Sequence, residues 1–170
     1  SVEAVVIDVA LEEAKLNFGA LTESDISSKT REEIVSYLVN GGCWPFLRSF
    51  PFRSIPAITD MAPAIYVSID NDEPYLPQSL VYLDGQEDVF RLGLTLLKKI
   101  SDDVNIGASS ENKSVLERFG DVITHSISGQ YPANDEGVFL YKNKTSKEEN
   151  NAWYVKGHDV VLLGQLAKTG

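Results

Sequence analysis

Between residues 64 and 127 the chain alternates between two patterns, and this alternation limits its fold more than any other feature. AIYVSID (64–70), DVNIGAS (103–109) and DVITHSI (121–127) are short β-branched runs, the signature of strands buried on both faces. QEDVFRLGLTLLKKI (86–100) lies between the first two. It places Val89, Gly93, Leu96 and Ile100 on one helical stripe and Phe90, Leu94 and Leu97 on the next. Lys98 and Lys99 fall in its last turn, where the helix dipole favours cations. NKSVLERFG (112–120) is a shorter helix ending in glycine. Strands separated by helices pair in parallel through right-handed crossovers, so the expected class is α/β with a mostly parallel sheet.

The flanks read differently. EAVVIDVA (3–10) is a strand, AKLNFGAL (14–21) is a candidate partner for it, and TESDISSK (22–29) is a polar connector. Thr30 and Glu33 have capping-box spacing, which starts a helix carrying Ile34, Tyr37 and Leu38 on one face. Gly41 and Gly42 end it. Pro51, Pro56 and Pro63 make 51–63 a stiff connector. NDEPYLPQS (71–79) is a loop, AWYV (152–155) a short extended piece and GHDVVLLGQLAKTG (157–170) a helix. KNKTSKEENN (142–151) reads as a solvated hairpin tip or loop. The expected division is residues 1–60, a strand pair with a helical connector, and residues 61–170, the α/β unit. The abrupt strand at the start reads as the interior of a longer protein.

The charge balance narrows the function. A net charge of −10 in 170 residues opposes nucleic-acid binding, which needs Lys and Arg to neutralise phosphates, and opposes docking of a basic face on anionic lipid. No apolar run reaches the roughly 20 residues of a spanning helix. One cysteine, Cys43, cannot form an internal disulfide, and with His125 and His158 it gives no zinc spacing.

A doubly wound sheet raises the question of a nucleotide. Neither G-x-G-x-x-G nor G-x-x-x-x-G-K-[ST] follows any strand, and Asn71-Asp72-Glu73-Pro74 after the first strand would repel a pyrophosphate. Gly107 reads as a turn residue. His125 and Ser126 are adjacent on a strand and face opposite ways, so they form no hydrolytic pair. His125 and His158 read as ordinary satisfied or exposed histidines. Asp70, Asp72 and Glu73 read as a solvated loop and not a cation site. SGQYPANDEGVF (128–139), constrained by Gly129, Pro132 and Gly137, reads as a loop that meets a partner or another part of a longer chain.

GGCWPFLRSFPFRS (41–54) concentrates one Trp, three Phe and two Arg in an otherwise acidic chain. Trp44, Phe46 and Phe52 are candidates for a small core beneath the first helix. Aromatics beside Arg48 equally suit an interface.

VEAVVIDV, GGCWPFLRSFPFRSIPA, AIYVSIDNDEP, EDVFRLGLTLLKKI and AWYVKGHDVVLLGQLAKTG occur in this order. As an ordered set they resemble the middle of the A-subunit family of the bacterial Na+-translocating NADH:quinone reductases. The resemblance covers essentially the whole chain. It implies that the first segment closes a biotinyl/lipoyl-like domain. It also implies that residues 61–170 form a Rossmann-like domain similar to the flavin-carrying subunit of respiratory complex I. The complex uses NADH, flavins, iron and ubiquinone. The resemblance makes this chain part of a peripheral subunit on the cytoplasmic face of the inner membrane, with no redox cofactor of its own and no catalytic residue. It implies the other pump subunits as partners and a contact for quinone or a partner at Trp44, Phe46, Arg48 and Phe52. The residue types suit a quinone ring, its prenyl tail and its carbonyls.

The sequence also departs from the family. Cys43-Trp44 stands for Leu-Trp, and Phe50-Pro51-Phe52 for Arg-Pro-Phe. Asn71-Asp72-Glu73-Pro74-Tyr75 stands for an Asp-x-Asn-Pro-Leu loop. The family's histidine-bearing patterns appear here as Gly129-Gln130-Tyr131-Pro132-Ala133-Asn134 and Phe139-Leu140-Tyr141. Roles assigned to those histidines do not transfer.

Overall fold

The computed structural model describes residues 4, 6–8, 15–70 and 75–170. A five-stranded sheet in the order β1-β5-β2-β3-β4 forms its centre. β2 (Ile65–Ser68), β3 (Val104–Ser109), β4 (His125–Ile127) and β5 (Trp153–Lys156) are parallel. β1 (Arg48–Ser49) pairs antiparallel with β5 at one edge, so the sheet is mixed but mostly parallel.

Residues of β2 and β5 alternate between the two faces, as the period of a strand requires. Ile65, Val67, Trp153 and Val155 join the larger core, while Tyr66 and Tyr154 join a smaller one. Helices α1 (Glu23–Ser28), α2 (Arg31–Asn40), α4 (Glu87–Ile100), α5 (Lys113–Phe119) and α7 (Gly157–Thr169) contribute to the larger core, with Leu83 of α3 (Ser79–Leu83). Helix α6 (Glu136–Asn143) covers the opposite face through Phe139 and Leu140.

Both apolar stripes expected on α4 are buried. A Cβ at Gly93 would collide with the Val160 carbonyl of α7, and one at Gly164 with the Val89 carbonyl of α4. The two helices therefore cross with backbone against backbone. The Thr30–Glu33 capping box forms at 2.8 and 3.2 Å, and Gly42 takes the left-handed turn after α2 at φ +72°. Gly41 is needed for another reason, because a Cβ there would meet Leu166.

Several expectations are corrected. Residues 22–29 are not a simple connector: Thr22 and Asp25 form a second capping box and start α1. Residues 15–21 hold no strand, and their backbone docks on the end of α7 through Phe18 N–H to Gly170 O at 2.9 Å and Leu21 N–H to Ala167 O at 2.6 Å. Most of the expected strand 3–10 lies outside the described residues. α3 begins at the last residue of the expected loop 71–79. β4 is shorter than 121–127 because Val122 and Ile123 still bond back to Phe119 O. Gly107 is not a turn residue. It lies in β3, where a Cβ would strike Ile127 and the Phe139 ring.

The segment 128–151 differs most. Asp135 caps α6 by accepting from Gly137 N–H at 2.8 Å and Val138 N–H at 3.3 Å. Phe139 then packs edge-on to Tyr66 with centroids 5.0 Å apart. The loop that follows is largely exposed, as expected, with one inward exception. Glu149 is buried and accepts from Tyr66 Oη–H at 2.5 Å, and from Thr145 and Ser146 N–H at 2.8 and 3.0 Å.

Replacing Gly93 or Gly164 with alanine should destabilise the protein. Alanine gains about 1 kcal/mol in helix propensity, but overpacking against a carbonyl that cannot rotate away costs about 1–3 kcal/mol or more. The steric cost should win at both positions, with a lower urea midpoint. Leu162→Ala, at a 41% exposed position of α7, should change the midpoint much less.

Candidate functional site

In an open α/β sheet, ligands sit beyond the carboxyl ends of the strands where the strand order reverses. Here that point lies between β2, which leads on to β3 at one side, and β5, which pairs at the other. The chain's own side chains occupy it. Tyr82 donates to the Ile69 carbonyl from a position directly over Gly157, the first residue of α7. Its ring stands edge-on to His158 at 5.9 Å. Burial pushes the Tyr82 phenol far above its ordinary pKa, so it is a neutral donor.

On the β3 side lies a cleft of ≈ 320 Å³. Asp70 is buried in its wall and accepts from Ser79 Oγ at 2.6 Å, Asn112 Nδ2 at 2.7 Å and Ser109 N–H at 2.7 Å. Asn112 also caps α5 by accepting from Val115 N–H at 3.3 Å. The donors that a cofactor phosphate would need are thus turned toward an internal carboxylate. The cleft does not suit a pyrophosphate. Among the described residues, no group of three or more His, Cys, Asp or Glu could hold a metal ion.

The aromatic stretch divides into separate places. Trp44 is 5% exposed, meets Trp153 edge-on at 5.6 Å and donates from Nε1 to Pro56 O at 2.9 Å. Phe46 packs half-buried against the larger core. Arg48 lies opposite Tyr154 in the β1–β5 pairing. Phe52 is 88% exposed. Two residues outside the four candidates complete the picture. Phe50 packs on Tyr154 at 4.9 Å. Arg53, at φ +55°, pairs with Asp135 at 2.9 Å and lies 5.6 Å over the Tyr154 ring.

Two depressions result. A cleft of ≈ 150 Å³ is lined by Pro45, Phe46, Arg48, Tyr154, Lys156 and Asp159. A groove of ≈ 340 Å³ takes in Phe50, Pro51, Leu140, Tyr141 and Lys144. Tyr141 is 76% exposed, and the Lys144 ammonium lies 5.6 Å from its ring centre.

The profile of the family "NqrA second alpha/beta domain" matches residues 29–170. The chain belongs to this family. It is similar to the A subunit of the Na(+)-translocating NADH-quinone reductase of Vibrio campbellii, with 30% identity over 168 residues. The corresponding protein of Aliivibrio salmonicida is also 30% identical over 168 residues, and that of Alcanivorax borkumensis is 29% identical over 171. Each alignment takes in 99% of this chain, but the chain spans only 37–38% of each relative's length. The family relationship expected from the ordered segments therefore holds. No helix among the described residues is long and apolar enough to cross a membrane.

Glu136, in the first turn of α6, carries no sequence signal that would single it out. It is 1% exposed and neither carboxylate oxygen has a hydrogen-bond partner. Burial raises its pKa against the opposing pull of Lys156 and Arg53, with Asp135 adding to the rise. Tyr154 also faces it. The folded state thus holds this proton more tightly than the unfolded chain does. Its stabilising effect is complete below the unfolded carboxyl pKa and is lost as pH rises through the folded one. Glu136→Gln should therefore stabilise the protein at pH 8, because the amide occupies the same buried site without a charge to desolvate. The gain should shrink as pH falls toward the ordinary carboxylate range, as read by urea unfolding at each pH.

Proposed function

We propose that this chain is a domain of the peripheral A subunit of a sodium-pumping NADH:quinone oxidoreductase. It supplies docking surface for the other subunits and part of a quinone contact, at the cytoplasmic face of the inner membrane. The family match over residues 29–170 carries this reading. The domain is a degenerate Rossmann-like unit, preceded by the end of a lipoyl-like domain and a helical connector. It holds no redox cofactor and acts in catalysis only through the complex. The inward-turned donors around Asp70 and the Tyr82 side chain at the switch point support this.

The four candidate contact residues differ in what they can offer. Trp44 is committed to the core and to Pro56. Phe52 is the one whose ring is presented to solvent. Pockets for small organic ligands run from about 300 Å³ upward, so the ≈ 340 Å³ groove beside Pro51 suits a quinone ring better than the ≈ 150 Å³ cleft beside Arg48. The groove is assigned the ring contact, with Phe52, which does not line it but follows Pro51 in the chain, as the exposed aromatic beside it. Phe46 and Arg48 are assigned a smaller partner group.

Phe52→Ala should leave thermal stability unchanged and raise the quinone KM of the assembled complex at least several-fold with little change in kcat. Trp44→Ala should instead cost about 3–5 kcal/mol of stability, the scale of a deleted core aromatic. An unchanged quinone KM in Phe52→Ala would remove the quinone contact. Failure of the complex to assemble around Phe52→Ala would show that the residue serves docking. A melting shift of the unaltered chain with FMN or NADH would overturn the cofactor-free reading.

A further inference from the structure

A groove of ≈ 480 Å³ runs along the outer side of α2, with the connector 58–61 as its other wall. α2 places Ile34 and Leu38 in the core, and its next stripe, Val35 and Val39, lines the groove. Ile58 and Met61 face them. Val39, Ile58 and Met61 are 41%, 56% and 66% exposed. Single exposed apolar side chains are ordinary, but a walled groove of them marks a docking surface. The groove is also pre-formed. Arg31, in the first turn of α2, donates to the Asp60 carbonyl at 2.5 Å and the Ile100 carbonyl at 3.4 Å. The first of these bonds ties one wall to the other, so docking needs little reordering.

The position of Gly170 says what covers it. Gly170 N–H donates to Leu166 O at 2.8 Å, and Leu166 O also accepts from the Tyr37 hydroxyl of α2 at 2.7 Å. The Leu166 side chain lies against Gly41, where α2 ends. Gly170 is thus one turn of α7 beyond the residue on which α2 ends, at the Val39 end of the groove. The chain covers only 37–38% of the length of its A-subunit relatives, so well over half of each relative lies outside the match. α2 has 10 residues and is about 15 Å long, a span that about five extended residues cover. A continuation leaving Gly170 reaches the groove directly. Because it is tethered there, docking is intramolecular, and a modest apolar contact suffices. Residues 3–10 are expected to close a preceding domain, which leaves the part after Gly170 as the occupant.

We propose that the α2 groove seats an apolar segment of this protein's own chain, from the part that follows Gly170. The inference rests on the reading of this chain as one domain of a longer A subunit. The docked segment covers Val35, Val39, Ile58 and Met61 and fixes the next part of the protein against α2. The surface is separate from the quinone contact, because the lining of this groove shares no residue with that of the groove beside Pro51.

The test places a photo-crosslinker in the groove of the full-length protein, purified without other subunits. Thr59→p-benzoylphenylalanine serves, because Thr59 is exposed in the lining and its replacement leaves the four apolar residues in place. After irradiation the cross-linked peptide is identified by mass spectrometry. The expected product is an intramolecular cross-link to a residue beyond Gly170. Val39→Lys puts a charge in the groove at a helix end that tolerates cations and should cut the yield at least fivefold. Leu162→Lys, at an equally exposed position of α7 outside the lining, should change nothing. A product of twice the mass, a cross-link only to residues before Lys15, or none beyond Gly170 overturns the proposal. So does a yield unmoved by Val39→Lys, or lowered as much by Leu162→Lys. The measurement uses neither quinone nor the other subunits, so its failure is distinct from failure of the pump reading.

Discussion

The contact between α4 and α7 governs the arrangement of the molecule. Gly93 meets the Val160 carbonyl and Gly164 meets the Val89 carbonyl, so each helix supplies both the gap and the backbone that fills it. Nothing larger than hydrogen fits at either glycine. With the two helices this close, their outer stripes reach the sheet together: Leu94, Leu97, Val160 and Leu163 share one core with Val67 and Val155. The start of α7 is then fixed against the end of β5, where Gly157 leaves room for Tyr82. The two depressions near β1 depend on this placement, since β1 pairs with β5 and with Ser54 of its own turn.

The opposite face is built by more polar means. α6 is attached through Phe139, through the Asp135 cap and its ion pair with Arg53, and through the bond from Tyr66 to Glu149 in the following turn. Arg53 comes from the aromatic stretch and Asp135 from the segment after β4. One partly exposed ion pair therefore links the two segments whose composition is most unusual. Such a pair contributes little stability in water. Its value is geometric, because it ties the turn after β1 to the start of α6. Glu136 beside it is the unfavourable element of this face, a carboxyl with no partner next to a helix start that otherwise satisfies its amides.

The helical layer is legible in the sequence because its signals are local. The Thr30–Glu33 box, the two stripes of α4 and the glycines after α2 each act within a turn or two. The strand order is partly legible for the same reason. Other features depend on distant contacts. α6 is hidden because Gly137 in its first turn and Pro132 before it resemble loop residues; only the Asp135 cap signals a helix. Gly107 resembles a turn residue because Phe139, the ring that requires it, is far away in sequence. β1 is two residues long and carries no pattern at all. The aromatic stretch stands out, but its division into core, edge and exposed ring follows from Trp153 and Tyr154, which lie about a hundred residues later. The orphaned Glu136 carboxyl leaves no trace in a one-dimensional pattern.

Membership in the NqrA family and an inward-turned switch point both support the proposal of a domain that works through partners. The most direct measurement is to tag the full-length protein in its own cells and solubilise the membranes gently. The captured assembly is then tested for the membrane subunits of the sodium pump and for Na+-stimulated, NADH-driven quinone reduction. Those subunits should co-purify in fixed ratio, and the assembly should be active. A tagged protein that emerges alone, or with other partners and no such activity, would contradict a role in the pump.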